Sequence, residues 1–183
     1  MKQYFGKYIG SIESRWLKER EMKLLVDFKF EDPDNILWVA PKGSIVDGAS
    51  IPRLLWTLVG APFSGAYRDA SVIHDVACQE KSRRWQDVHL CFYNAMRTSD
   101  VSTIKAKTMY AGVYYFGPKW ETPASKSFDY FEDSNIELIG NDISLDLDDT
   151  REESKFKESD FARLKNLIEE NDEISLEEIR AFR

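Results

Sequence analysis

The chain contains two histidines, His74 and His89, at positions from which two imidazoles can act together. His74 shares an apolar stripe with Ala70, Ile73 and Ala77, and His89 shares a second with Trp85, Val88, Phe92 and Met96, both at helical spacing. A polar ring on an apolar face must find a partner. His74 lies eight residues before Ser82 and His89 six after Arg83. At ~1.5 Å per residue, the rings therefore stand within about a turn of the same height on two antiparallel helices joined at Ser82-Arg83. Helices in contact run ~8–10 Å apart, a gap that two facing imidazoles span. The expectation is that the rings meet, or share one water or ligand, beside an open cleft. A histidine titrating near neutrality suits proton transfer, so His74 is read as a general base and His89, or an acidic group, as its orienter. Either ring alone is better explained as a core histidine bonded to a backbone carbonyl, and it is the match in height of the two that points to a site.

Other residues cluster around this pair. Asp75 follows His74 about 100° round the helix, where it can line the edge of the same cleft, hold a cation, or pair with Arg53, Arg68 or Arg84. Asp87, two residues before His89, faces solvent. Cys78 is one turn after His74, so His74, Cys78 and His89 form a conceivable zinc set without an evident fourth ligand. A Cys78 nucleophile with His74 as base is a further option, but the first reading of both Cys78 and Cys91 is as packing residues. The segment Asp47-Gly48-Ala49-Ser50-Ile51-Pro52-Arg53 reads as a turn followed by a helix start, with Ser50 as the cap. It can present Asp47, Ser50 and Arg53 to a cleft. No Gly-x-Ser-x-Gly elbow surrounds Ser50, and neither a phosphate-binding loop nor a dinucleotide fingerprint is present. Of the aromatics, Tyr67 is a candidate for lining the site.

These side chains need elements to hold them. Met22–Phe30 reads as a strand with Val26, Phe28 and Phe30 on one face, Asp32–Asn35 as a turn, and Ile36–Ala40 as a second strand. Tyr4–Ile9 is a further candidate strand, and Arg15–Glu21 suits either a strand or a helix. From Ser50 the pattern turns helical, with longer helices over Ala66–Lys81, Arg84–Arg97 and Val101–Phe116. Strands followed by helices imply an α+β domain: a small N-terminal antiparallel β-sheet packed against a bundle of about three helices.

Charge divides the chain. Residues 121–183 carry 19 acidic and 8 basic side chains, whereas residues 1–120 carry 13 and 17, nets of −11 and +4. Pro118 and Pro123 coincide with the shift, so residues 1–120 are read as the core domain and 121–183 as an acidic, partly helical C-terminal extension. Helices are expected at Ser159–Glu169 and Ser175–Phe182, and a strand or two between Ile136 and Leu147. The whole chain has a net charge of −7, which argues against a nucleic-acid partner. No apolar run reaches the ~18–20 residues of a membrane span, and the first residues lack the apolar stretch of a signal peptide. Two cysteines in helices suggest a reducing compartment, hence the cytoplasm.

The blocks Asp47–Arg53, Gly65-Ala66-Tyr67, Ala70–Asp75, Arg84–His89, Phe92–Met96 and Met109–Trp120 resemble, in this order, an uncharacterised family of bacteria and phages, domain of unknown function 1353. The resemblance covers roughly residues 20–120 and implies a phage or prophage setting, with the host cytoplasm as location if the chain is phage-encoded. Against that family, Cys78 stands where many members have an aromatic residue, and His89 where some have an aspartate. The His74-Asp75 pair with a partner on the next antiparallel helix is also similar to secreted phospholipase A2. That likeness implies His74 as the base and Asp75 as a calcium ligand, acting on a lipid or another small-molecule substrate. The chain lacks the glycine-rich calcium loop and the disulfides of those enzymes. Two functions are thus expected: a hydrolase of phage-related origin, or a non-enzymatic binding or assembly protein whose acidic tail docks a protein partner.

Overall fold

The computed structural model describes residues 3–17, 21–48, 50–52, 55, 65–122 and 156–183. Short runs of alternating apolar and polar residues at the N-terminus form six strands in two three-stranded antiparallel sheets. β1 (Lys7–Ile9), β4 (Phe28–Glu31) and β5 (Leu37–Ala40) make one sheet in the order β1-β4-β5. β2 (Ser14–Trp16), β3 (Met22–Leu24) and β6 (Ile45–Val46) make the other, in the order β2-β3-β6. The single strand expected over Met22–Phe30 is therefore two, separated by a bend at Leu25-Val26. Alternation survives the bend, since Met22, Leu24, Phe28 and Phe30 are all buried. What changes there is the hydrogen-bonding partner, which side-chain alternation does not encode.

The turn between β4 and β5 is organised by one side chain. The Asp32 carboxylate accepts the backbone N–H groups of Asp34 and Ile36 at 3.0 and 2.9 Å and the Trp38 indole N–H at 2.9 Å. On the same sheet Tyr8 faces Phe30, which faces Trp38. The Tyr8 hydroxyl lies 2.9 Å from the Ala95 carbonyl and 3.0 Å from Ser99 Oγ, which fastens this sheet to the helices.

The helical part contains α1 (Arg68–Glu80), preceded by a 3-10 turn at Gly65–Tyr67, then α2 (Trp85–Thr98) and α3 (Thr103–Phe116). Each lies within two residues of its expected bounds. The helix expected directly after Ser50 falls mostly outside the described residues. α3 is buried from Ala106 to Val113, because α2 covers one side and the closing helices cover another. Leu55 packs so tightly on it that a Cβ at Gly112 would collide with the leucine side chain.

Those closing helices are α4 (Glu158–Glu170) and α5 (Leu176–Ala181), the latter capped by Ser175 in a box with Glu178. Phe161, Leu164 and Ile168 are spaced to share one face of α4, and all three are buried, as are Ile174 and Ile179. Phe156 stacks on Tyr115 with ring centroids 3.6 Å apart. The Tyr115 hydroxyl sits among the carbonyls of Ile179, Arg180 and Phe182 and donates to one at a time. Arg180 Nε donates to the Tyr110 hydroxyl at 2.6 Å, and the Lys107 ammonium donates to the Asp172 carbonyl. The strand pattern expected between Ile136 and Leu147 lies outside the described residues.

The fold is thus α+β, with two small antiparallel sheets and five helices among the described residues. Leu164 is 0% exposed, so Leu164→Ala is expected to lower stability by roughly 2–5 kcal/mol, read from urea denaturation. A chain ending after Trp120 should lose its cooperative melting transition, because Tyr115 and Phe116 would lose their apolar cover.

Candidate functional site

The two histidines meet. His74 Nε2 lies 2.9 Å from His89 Nδ1, and the ring centroids are 5.1 Å apart. Facing apolar stripes on α1 and α2 bring them together, as the residue count from Ser82-Arg83 requires. Among the described residues no open cleft borders the rings, contrary to expectation: His74 is 1% and His89 0% exposed. Phe92 stacks on His74 at 4.5 Å, while Trp85 and Trp120 flank His89 at 5.5 and 6.4 Å. Burial is the main cause that lowers the pKa of both rings, well below the usual histidine value for His74 and to about 3 for His89. Both are therefore neutral at pH 7, and neither carries the near-neutral pKa expected of a general base.

Asp75 turns away from His74, as its helical angle demands, but it serves the same network from behind. Its Oδ2 accepts the backbone N–H groups of Asp47 at 2.9 Å and Gly48 at 3.2 Å, together with Gln79 Nε2 at 3.5 Å. Its Oδ1 accepts the Ser50 hydroxyl at 2.7 Å and the Ser50 N–H at 3.4 Å. Gly48 has φ +69°, a conformation costly for a residue with a Cβ. Burial pushes the Asp75 carboxyl up from its ordinary pKa, while the bonds from Ser50, Asp47 and Gly48 favour the ionised form. The oxygens proposed for a cation thus face N–H and O–H donors.

Ser50 joins the two halves. Its Oγ lies 3.2 Å from His74 Nδ1 while donating to Asp75, which completes a chain Asp75–Ser50–His74–His89. Cys78 Sγ stands 3.5 Å from His74 Nε2, and burial drives its thiol pKa far up, so the thiol is not a ready nucleophile. Among the described residues His74, Cys78 and His89 bring three potential ligand atoms within 4.8 Å of one another.

The remaining candidates are dispersed. Asp47 enters the network through its backbone N–H. Tyr67 is buried at the start of α1, under the Lys105 ammonium. Arg84 is exposed and pairs with Asp87 through two bonds of 2.9 and 2.8 Å, away from the histidines. Arg53 lies outside the described residues. Sequence reasoning missed two contributors. Gln79, one turn after Asp75, also donates to the Ile45 carbonyl at 3.0 Å. The Pro118 carbonyl acts on the His89 ring in favour of its protonated form, although His89 Nε2 makes no hydrogen bond of good geometry. Spacing from Asp75 was the available signal for Gln79; none existed for a backbone carbonyl.

Asp75→Asn puts an N–H donor against donors that need an acceptor. It is expected to cost roughly 2–4 kcal/mol in urea denaturation, and a shift within error would show that the carboxylate does not hold the loop.

Comparison with known proteins covers the part of the chain that contains this network. The chain is 50% identical over 98 residues to the uncharacterized protein y4jT of Sinorhizobium fredii, which is 54% of this chain and 29% of that protein. It is 41% identical over 97 residues to the uncharacterized protein y4iH of the same organism, which is 53% of this chain and 41% of that protein. The match thus spans less than half the length of either curated relative. No solved structure matches the chain. Residues 22–113, from β3 into α3, match the family model described as a protein of unknown function, DUF1353, and the chain belongs to that family.

Proposed function

We propose that this protein is a non-enzymatic binding or assembly protein, in which the paired histidines belong to a core network. The carrying observation is that the rings are sealed, at 1% and 0% exposure. A general base must come within about 2.6–3.2 Å of the proton it takes, directly or through one water. Both nitrogens of His74 are instead turned to neighbours, Nδ1 to Ser50 and Nε2 to His89. The relatives add support of another kind: the shared stretch makes up 29% and 41% of their lengths, as a module joined to other chain segments does.

The partner this reading favours is a protein with a basic surface, complementary to the net −11 of residues 121–183. The cytoplasm suits two buried free thiols, Cys78 and Cys91. No helix among the described residues is long and apolar enough to cross a membrane.

One observation favours hydrolysis as a second reading. Ser50, His74 and His89 stand in the order hydroxyl, imidazole, orienting group, at 3.2 and 2.9 Å. In this arrangement, however, the hydroxyl proton is directed at Asp75 across 2.7 Å. His74 would have to gain access to solvent before acting on water or activating Ser50.

The full chain is expected to give no turnover of ester, phospholipid or phosphodiester substrates above that of His74→Gln, with or without calcium. His74→Ala should instead lower stability by roughly 2–4 kcal/mol, because it opens a cavity and strips Ser50 and His89 of a partner. Turnover that vanishes in His74→Gln at an unchanged melting temperature would establish the hydrolase and overturn the binding reading.

A further inference from the structure

We propose that His74 Nε2, His89 Nδ1 and Cys78 Sγ form a buried site for a borderline-soft divalent cation of the zinc class. Such a site would lock α1 to α2, and its existence is independent of whether the protein binds partners or turns over substrate.

Three observations converge on it. The first is distance. Zinc takes imidazole nitrogen at ~2.0–2.1 Å and thiolate at ~2.3 Å, so tetrahedral ligands stand ~3.3–3.6 Å apart. Here the two nitrogens are 2.9 Å apart and the sulfur is 3.5 Å from His74 Nε2. The three atoms all lie within 4.8 Å of one another, so closing the sulfur–His89 edge to tetrahedral spacing takes a side-chain shift of up to about 1 Å. Two imidazoles and a thiolate suit zinc or cobalt, whereas calcium needs six to eight oxygens.

The second is the hydrogen-bond account of the network. Asp75 accepts, so Ser50 donates to Asp75, and Ser50 Oγ then accepts from His74 Nδ1–H. Neutral His74 has a bare Nε2, which accepts from His89 Nδ1–H. In that tautomer His89 Nε2, which is buried and makes no hydrogen bond of good geometry, carries no proton to offer the Pro118 carbonyl. A cation between the rings removes this defect. Nδ1 of His89 becomes a ligand, its proton moves to Nε2, and Nε2–H gains the Pro118 carbonyl, which favours protonation of this ring, as an acceptor. Both ligand histidines then have their outer N–H directed at an acceptor, the support that metal-bound imidazoles ordinarily receive.

The third is charge. Cys78 must give up its proton to ligate, so binding releases one proton per ion. The charge of the dication is then matched by the thiolate and by the Asp75 carboxylate, relayed to His74 through Ser50. A buried site so balanced avoids the cost of an uncompensated interior charge. Among the described residues no fourth His, Cys, Asp or Glu joins the group, so a tetrahedral ion would have to carry in one water of its own hydration shell.

The test uses the full chain stripped with a chelator and titrated with cobalt(II). One equivalent should produce the visible bands of tetrahedral cobalt together with a near-ultraviolet thiolate charge-transfer band. Zinc should abolish both, raise the melting temperature and release one proton in weak buffer. Cys78→Ser should lose the charge-transfer band, and Ser50→Ala should weaken cobalt binding roughly 10–100-fold. If a variant fails to fold, the proton release and zinc-induced melting shift of the unaltered chain still decide the matter. Absence of both, or unchanged cobalt bands in Cys78→Ser, would overturn the site.

Discussion

The interaction on which the rest depends is the acceptance, by one buried carboxylate, of three backbone N–H groups of the loop after β6. Backbone N–H groups at Asp47, Gly48 and Ser50 belong to neither sheet nor helix, yet Gly48 and Ser50 are buried. Unpaired, each such donor would cost about 1–3 kcal/mol. Asp75 satisfies all three from the middle of α1, and the Ser50 hydroxyl carries the connection on to His74 and His89. One short polar chain therefore links the end of the β2-β3-β6 sheet to both α1 and α2.

Much of this was legible in the sequence, though unevenly. Placing His74 and His89 at one height needed only a helical rise and a short connection, and the rings do meet. Burial was not legible, because it depends on what closes over the pair: Phe92 sits on the same helix as His89, but Trp120 lies beyond α3. Asp75 was placed correctly off the histidine face, while its partners escaped notice because they are backbone groups that carry no residue signature. The local pattern makes Ser50 a cap for a following helix, whereas its bonds to Asp75 and His74 depend on a contact 24 to 25 residues away in sequence.

The fold follows the same division. Helix bounds came through within two residues because periodicity, caps and short connections all act locally. Strand pairing did not, since the bend at Leu25-Val26 leaves side-chain alternation intact while exchanging one set of neighbours for another. In the last 28 residues, acidic surface positions dominate the composition and conceal Phe161, Leu164 and Ile168. Those three, spaced along one helix face, are what place α4 on α3. A net charge describes the outward side of a helix and says little of its inward side.

The clamp at Asp75 also has a dynamic side. Because the amides of Asp47 and Gly48 are tied to a side chain of α1 rather than to a neighbouring strand, the position of the loop follows that of the helix. Gln79 bonds the Ile45 carbonyl from the same helix face, so the short strand just before the loop is tethered there as well. A small tilt of α1 would slacken strand, loop and Ser50 in concert, and a stiffer helix would still them all. Loop and helix should therefore exchange their amide protons as one unit.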